Sequence, residues 1–215
     1  MYLFLISFIP LFAFAVIALD KNYTFRNFVP QMVAAILLAT VICCIKEFFI
    51  YSRRFWIDSA AQNFTAIFLN NTLLPMVVLC TLHFVLLKDS FEYKAASLFA
   101  LLAFFYAVFT PYGIISAMER HSKFLLLYAP ILYAGFSLYV SVFFRFAAAE
   151  KKSLRIPLCI AAVILSLGAG IVPPLLEAYR YFNGESVFLA GISLAYTGFA
   201  LALFLIKNIK KQDID

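Results

Sequence analysis

Charge is what this sequence has least of. Asp, Glu, Lys and Arg together make up 13% of its 215 residues, about half the share in an ordinary soluble domain. A chain so poor in charge cannot coat itself for water, so its solvent is mostly lipid. Histidine occurs twice, as His83 and His121, without an H-E-x-x-H pattern, and Ser193 sits in Gly-Ile-Ser-Leu. A zinc hydrolase and a serine–histidine hydrolase therefore have no motif to stand on. Every aspartate (Asp20, Asp58, Asp89, Asp213 and Asp215) lies outside the uncharged runs, which leaves a paired-aspartate intramembrane protease unsupported. The four cysteines, Cys43, Cys44, Cys80 and Cys159, form no C-x-x-C and read as reduced packing residues rather than a disulfide or metal site. Seven glycines provide no phosphate-binding loop and no matched pair of interrupted helices of the kind rocking transporters use. No helix carries a basic ladder for voltage sensing. The expectation is a non-enzymatic protein with no cofactor, no metal and no nucleic-acid partner.

What is abundant is apolar length. Hydrophobic residues account for 65% of the chain and the mean hydropathy is +0.97. Runs without a formal charge are Met1–Leu19, Asn27–Ile45, Ser59–Leu87, Ala95–Met118, Phe124–Phe144, Ile156–Leu176 and Ser186–Ile206. A helix needs about 20 residues to cross a bilayer. The reading is an all-α polytopic membrane protein, a bundle of seven transmembrane helices. Residues 1–206 form a single domain and 207–215 a short basic tail. The first run lacks a basic leader and a cleavage site and so reads as a span, not a signal peptide. Eleven of the seventeen Lys and Arg residues fall in loops one, three and five and the tail. Those segments are therefore expected to be cytoplasmic, with the N-terminus outside the cell membrane. The net charge of +6 fits that asymmetry at an anionic membrane surface.

The third run is unusual for a span. It carries Asn63, Thr65, Asn70, Asn71, Thr72, Thr81 and His83, with Pro75 near its middle. At about 100° per residue, Asn63, Asn70 and Thr81 share one face, and Thr65, Thr72 and His83 the opposite one. A span polar on both sides is expected inside the bundle. Pro75 has no N–H and frees the carbonyl of Asn71, favouring a kink. The sequons at Asn22, Asn63 and Asn70 are discounted, because the first is expected to be cytoplasmic and the others membrane-bound.

In the other spans, Lys46, Glu47, Arg53, Arg54 and Trp56 read as an interfacial anchor after helix two. Pro30 and Pro157 are expected near helix starts. Helix four carries Ala96, Ala100, Ala103 and Ala107 on one stripe, is expected to be disturbed at Thr110-Pro-Tyr-Gly113, and closes with Glu119, Arg120 and His121. Helix five places Tyr133, Ser137 and Ser141 four residues apart. Helix six shows Ala162, Ser166 and Gly170 on one face and is expected to break at Pro173–Pro174. Helix seven has Gly191, Ala195, Gly198 and Ala202 on one seam, so helices six and seven are expected to pack tightly. Pro111, Pro130, Pro173 and Pro174 all fall in outer halves. Irregular backbone is tolerated where it is buried or lines a cavity, so an outward-facing polar pocket is expected. Its candidate ligand-binding residues are Asn63, Asn70, Asn71, Tyr112, Tyr128 and Glu177.

Three stretches, Asn70-Asn-Thr-Leu-Leu-Pro-Met with the following Leu-His-Phe-Val, the Phe-Thr-Pro-Tyr-Gly turn, and Arg145–Arg155 leading to Gly170-Ile-Val-Pro-Pro-Leu, give nearly the whole chain a family likeness. It resembles the seven-helix N-terminal input (sensor) region of bacterial histidine kinases and related signalling proteins. The resemblance implies a sensory or ligand-binding module in a bacterial inner membrane, facing outward to an unknown small ligand; its motifs carry over no site residues. In such proteins an output domain follows helix seven, whereas here Lys207–Asp215 remains. The expected route of signal transduction is therefore through a partner, a cytoplasmic output protein or a membrane complex. The alternatives are the substrate-binding subunit of an importer and an assembly subunit of a membrane complex.

Overall fold

The computed structural model describes residues 2–20, 25–50, 59–116, 123–149, 154–184 and 187–212. Among these, every regular element is helical. The first span is α1 (Tyr2–Leu19), and the second is α2 (Phe25–Ile45) continued by a π turn at Lys46–Ile50. The third is composite: α3 (Ala60–Ile67), a π turn at Phe68–Leu73, and α4 (Leu74–Leu86). The fourth and fifth are α5 (Phe91–Ser116) and α6 (Lys123–Ala149). The sixth is α7 (Arg155–Gly170) followed by α8 (Val172–Asn183), and the seventh is α9 (Val187–Gln212). Seven helical stretches are long and apolar enough to cross a membrane, and a multi-pass membrane bundle is the architecture that suits them.

The bundle is organised around two helices. Residues 97–106 of α5 and 129–142 of α6 are buried on all sides, because both carry aromatic and aliphatic side chains around their whole circumference. The remaining spans bury one stripe each. α1 packs Leu5, Ile9, Ala13, Val16 and Ile17 against α5 and α6. α2 and α4 lean on α5, and α7 and α9 lean on α6. Large apolar residues such as Leu3, Leu37, Ile164 and Phe199 cover the outer surface, which suits helices able to cross a membrane.

Several expectations from the sequence are corrected. The third span lies on the periphery rather than inside the bundle, with Thr65, Leu69, Leu74, Val77 and Val85 exposed. Thr65 can face outward because its hydroxyl donates to the Ala61 carbonyl of its own helix at 2.7 Å. Its π turn also rotates α4 relative to α3 by about 100°, so Asn63, Thr72 and His83 are all buried while Thr81 is exposed. In the seventh span, Gly191, Ala195, Gly198 and Ala202 face outward, and nothing lies within 4 Å of a Cβ placed at either glycine. Its opposite face, Leu189, Ser193, Thr197, Ala200 and Phe204, turns inward. The close approach occurs instead at Gly135 of α6, where a Cβ would stand 2.6 Å from Thr197 Oγ1 and 3.0 Å from its Cα. Thr197 also donates to the Ile131 carbonyl at 2.7 Å. The sixth and seventh spans therefore both pack on α6 rather than on each other, and Tyr196 links them by donating to the Ala169 carbonyl at 2.9 Å. Finally, α5 runs unbroken through Pro111, and Pro30 sits inside α2.

Other expectations match. The sixth span breaks at Ile171, immediately before Pro173–Pro174, and Ala162, Ser166 and Gly170 form its buried stripe. Pro157 falls in the first turn of α7. Arg53, Arg54, Trp56, Asp58, Glu119, Arg120, His121, Lys151 and Lys152, and the sequon residue Asn22, lie outside the described residues.

One end of the bundle is closed by polar contacts between spans. Arg145 pairs with Asp20 at 2.6 Å, donates to the Ala96 carbonyl at 3.1 Å and lies over the Phe204 ring. Nearby, His83 Nε2 is 2.9 Å from the Lys94 carbonyl and 3.1 Å from Ser97 Oγ. Lys94 donates to the Phe84 carbonyl at 2.8 Å.

Candidate functional site

The opposite half holds the backbone irregularities: the two π turns and the break at Ile171. Pro75 decides what happens there. Its absent N–H would have bonded to the Asn71 carbonyl in an α register and to the Asn70 carbonyl in a π register. Both acceptors are taken by side chains from other spans. Lys46 Nζ donates to the Asn70 carbonyl at 3.2 Å, and the Tyr106 hydroxyl donates to the Asn71 carbonyl at 2.9 Å. A freed carbonyl at membrane depth needs such a donor, and here each receives one.

The Asn71 side chain extends the contact. Its Oδ1 accepts from Lys46 Nζ at 3.4 Å, and its side chain lies beside the Tyr133 hydroxyl. Tyr133 donates to Glu177 Oε1 at 3.0 Å, and its ring stacks on Tyr106 with centroids 4.8 Å apart. A continuous polar path therefore runs Lys46–Asn71–Tyr133–Glu177, with Tyr106 beside it, and joins the second through sixth spans. Lys46 and Glu177 are only 7% and 9% exposed. Among the described residues the one ion pair is Arg145–Asp20, so the Lys46 ammonium rests on two neutral oxygens and the Phe109 ring, 4.2 Å from its centroid.

The candidate residues separate into several environments. Asn71 is the hub, and Glu177 ends the path. Asn70 contributes its carbonyl, while its side chain turns back to donate to the Ala66 carbonyl at 3.0 Å. Tyr112 donates to Glu47 Oε2 at 2.7 Å, about one turn beyond the Lys46–Phe109 contact. Asn63 is buried on α3, which packs against α8, and its Nδ2 has no acceptor among the described residues. Tyr128 lies apart, packed on the smaller apolar cluster of Leu132, Leu176 and Leu189.

Lys46, Tyr106 and Tyr133 carry the centre and are not among the candidates read from sequence. Lys46 reads as an interfacial anchor because the uncharged run stops at Ile45, yet the helix continues past it and turns the ammonium inward. The signal that could have found it is Pro75, whose freed carbonyls require donors from elsewhere. An arrangement of two separated buried charges, joined by neutral groups that both donate and accept, can hold a polar or charged molecule. It can also pass a change at one span to four others. No protein-family model, no curated protein and no solved structure matches this chain.

Proposed function

We propose that this chain is a non-enzymatic membrane sensory or ligand-binding module whose input site is the Lys46–Asn71–Tyr133–Glu177 cluster and whose output passes to a partner protein. One observation carries the reading: two ionisable side chains are buried within membrane-capable helices, apart from each other, at an irregular stretch of backbone. Ionisable groups in that setting are costly to keep and mark sites of function. The excess of basic residues in the loops at the other end supports an outward orientation of this end, where a sensor would meet its signal. The likeness to seven-helix input regions adds support.

A second reading, the substrate-binding subunit of an importer, is favoured by the meeting of two interrupted spans. A Cβ at Gly170, just before the break in the sixth span, would stand 2.7 Å from Thr72 Cγ2 in the π turn of the third. Interrupted helices that face each other are a device of transporters. The discriminating experiment is cross-linking and co-purification of the tagged full chain from native membranes, compared with Glu177→Gln. A cytoplasmic signalling protein captured by the wild type, with altered retention in the variant, supports the sensory reading. Solute accumulation that depends on Glu177, with no such protein captured, contradicts it and supports the importer.

A further inference from the structure

We propose that the junction of the second and third spans, at Lys46, Asn70, Asn71, Tyr106 and Phe109, binds a phosphate-type oxyanion, either an anionic phospholipid headgroup or a free phosphate. The inference rests on the cluster being the input site and names the chemistry of what it receives. Among the described residues the second and third spans each pack on α5, with little direct contact between their own backbones. What joins them is the Lys46 side chain, reaching Asn70 and Asn71 above the Phe109 ring. Asn70 and Asn71 are half-buried, so the junction is partly open to the surroundings of the bundle.

Three features point to an anion. The Lys46 ammonium is buried among neutral groups, and nothing described within 4 Å neutralises it; an opposite charge arriving in that low-dielectric setting would be strongly attracted. The nearest carboxylate in sequence, Glu47, is held by the Tyr112 hydroxyl instead. Donors without acceptors also stand nearby in sequence: the buried Thr110 hydroxyl follows Phe109, and the buried Asn63 Nδ2 lies two turns before Asn70 on the third span. Depth points to phosphate. The Lys46 backbone lies within the last turn of the membrane-capable stretch Phe28–Phe48, one side-chain length from the headgroup region, and lysine binds phosphate as a point charge.

The test uses the purified full chain in a non-ionic detergent. Thermal unfolding is followed while phosphatidylglycerol, phosphatidylcholine or inorganic phosphate is added at matched ionic strength. Phosphatidylglycerol is expected to raise the melting temperature of the wild type by several degrees over phosphatidylcholine. Lys46→Arg should keep the increment, Lys46→Gln should lose it, and Lys88→Gln, an exposed change at the opposite end, should leave it intact. An increment with the lipid alone identifies a headgroup site, and one with inorganic phosphate as well identifies a site for the free oxyanion. No increment in either arm, or equal increments in wild type and Lys46→Gln, overturns the proposal. Native mass spectrometry of the wild type needs no variant and decides the matter if Lys46→Gln does not fold. Retention of phosphatidylglycerol or phosphate over phosphatidylcholine supports the site, and its absence overturns it. Partner capture is measured separately, so loss of anion binding with capture intact refutes this site and leaves the sensory reading standing.

Discussion

At one end of the bundle Asp20 meets Arg145 directly at 2.6 Å, while at the other Lys46 and Glu177 are held apart by Asn71 and Tyr133. Both ends bury charge, and their surroundings differ in kind. The Asp20 end ties regular helices together, with Arg145 also satisfying the Ala96 carbonyl. The Lys46 end is built on π turns and a proline, and there the Lys46 ammonium meets neutral oxygens and a ring. A matched pair fastens; separated charges keep an unmet demand that a ligand can satisfy. That contrast is why the second end, not the first, is assigned the input role.

The comparison breaks most visibly at Arg145. Arg145→Met removes the cation that faces the buried Asp20 carboxylate and is expected to cost about 3–5 kcal/mol, measured by denaturation in detergent. Adding Asp20→Leu should restore much of that loss, because the double change removes both charges. A double variant as unstable as the single would mean that the two residues do not act as a pair.

Backbone contact comes next. Gly135→Ala forces its Cβ against Thr197 and is expected to cost about 1–3 kcal/mol. Wild-type stability for this variant would place the α6–α9 approach elsewhere. At the hub, Asn71→Ala should cost about 0.6–2 kcal/mol. Asn70→Ala should cost less, since its amide bonds only within its own helix; the reverse order would show Asn70 to be the interhelical residue. Gly198→Leu should fall within about 0.5 kcal/mol of wild type, because its side of α9 is open. A large loss there would restore the seam read from the sequence.

That seam shows where sequence reading ends. Helix number, approximate bounds and the buried Ala162–Ser166–Gly170 stripe follow from run length and 3.6-residue spacing. Which face of α9 turns inward does not, because small residues on a lipid-facing helix repeat with the same spacing as those at a contact. The decision rests on Thr197 reaching the Ile131 carbonyl, a partner 66 residues away. The site divides in the same way. Pro75 and the freed Asn71 carbonyl are local and legible. Tyr106, which caps that carbonyl, and Lys46, which caps its neighbour, come from other spans. Uniform stepping along the third span also fails at the π turn, whose extra residue shifts the phase of everything that follows.

The most direct test of the contrast compares Arg145→Met with Lys46→Met under one set of unfolding conditions. Each replaces a buried cation with an apolar chain of similar length. Arg145→Met should lose about 3–5 kcal/mol. Lys46→Met gives up hydrogen bonds to two neutral oxygens and the contact with the Phe109 ring and should lose less than about 2 kcal/mol, while its response to phosphatidylglycerol disappears. If Lys46→Met proves as destabilising as Arg145→Met, the Lys46 end is a fastening like the other, and the division between the two ends is contradicted.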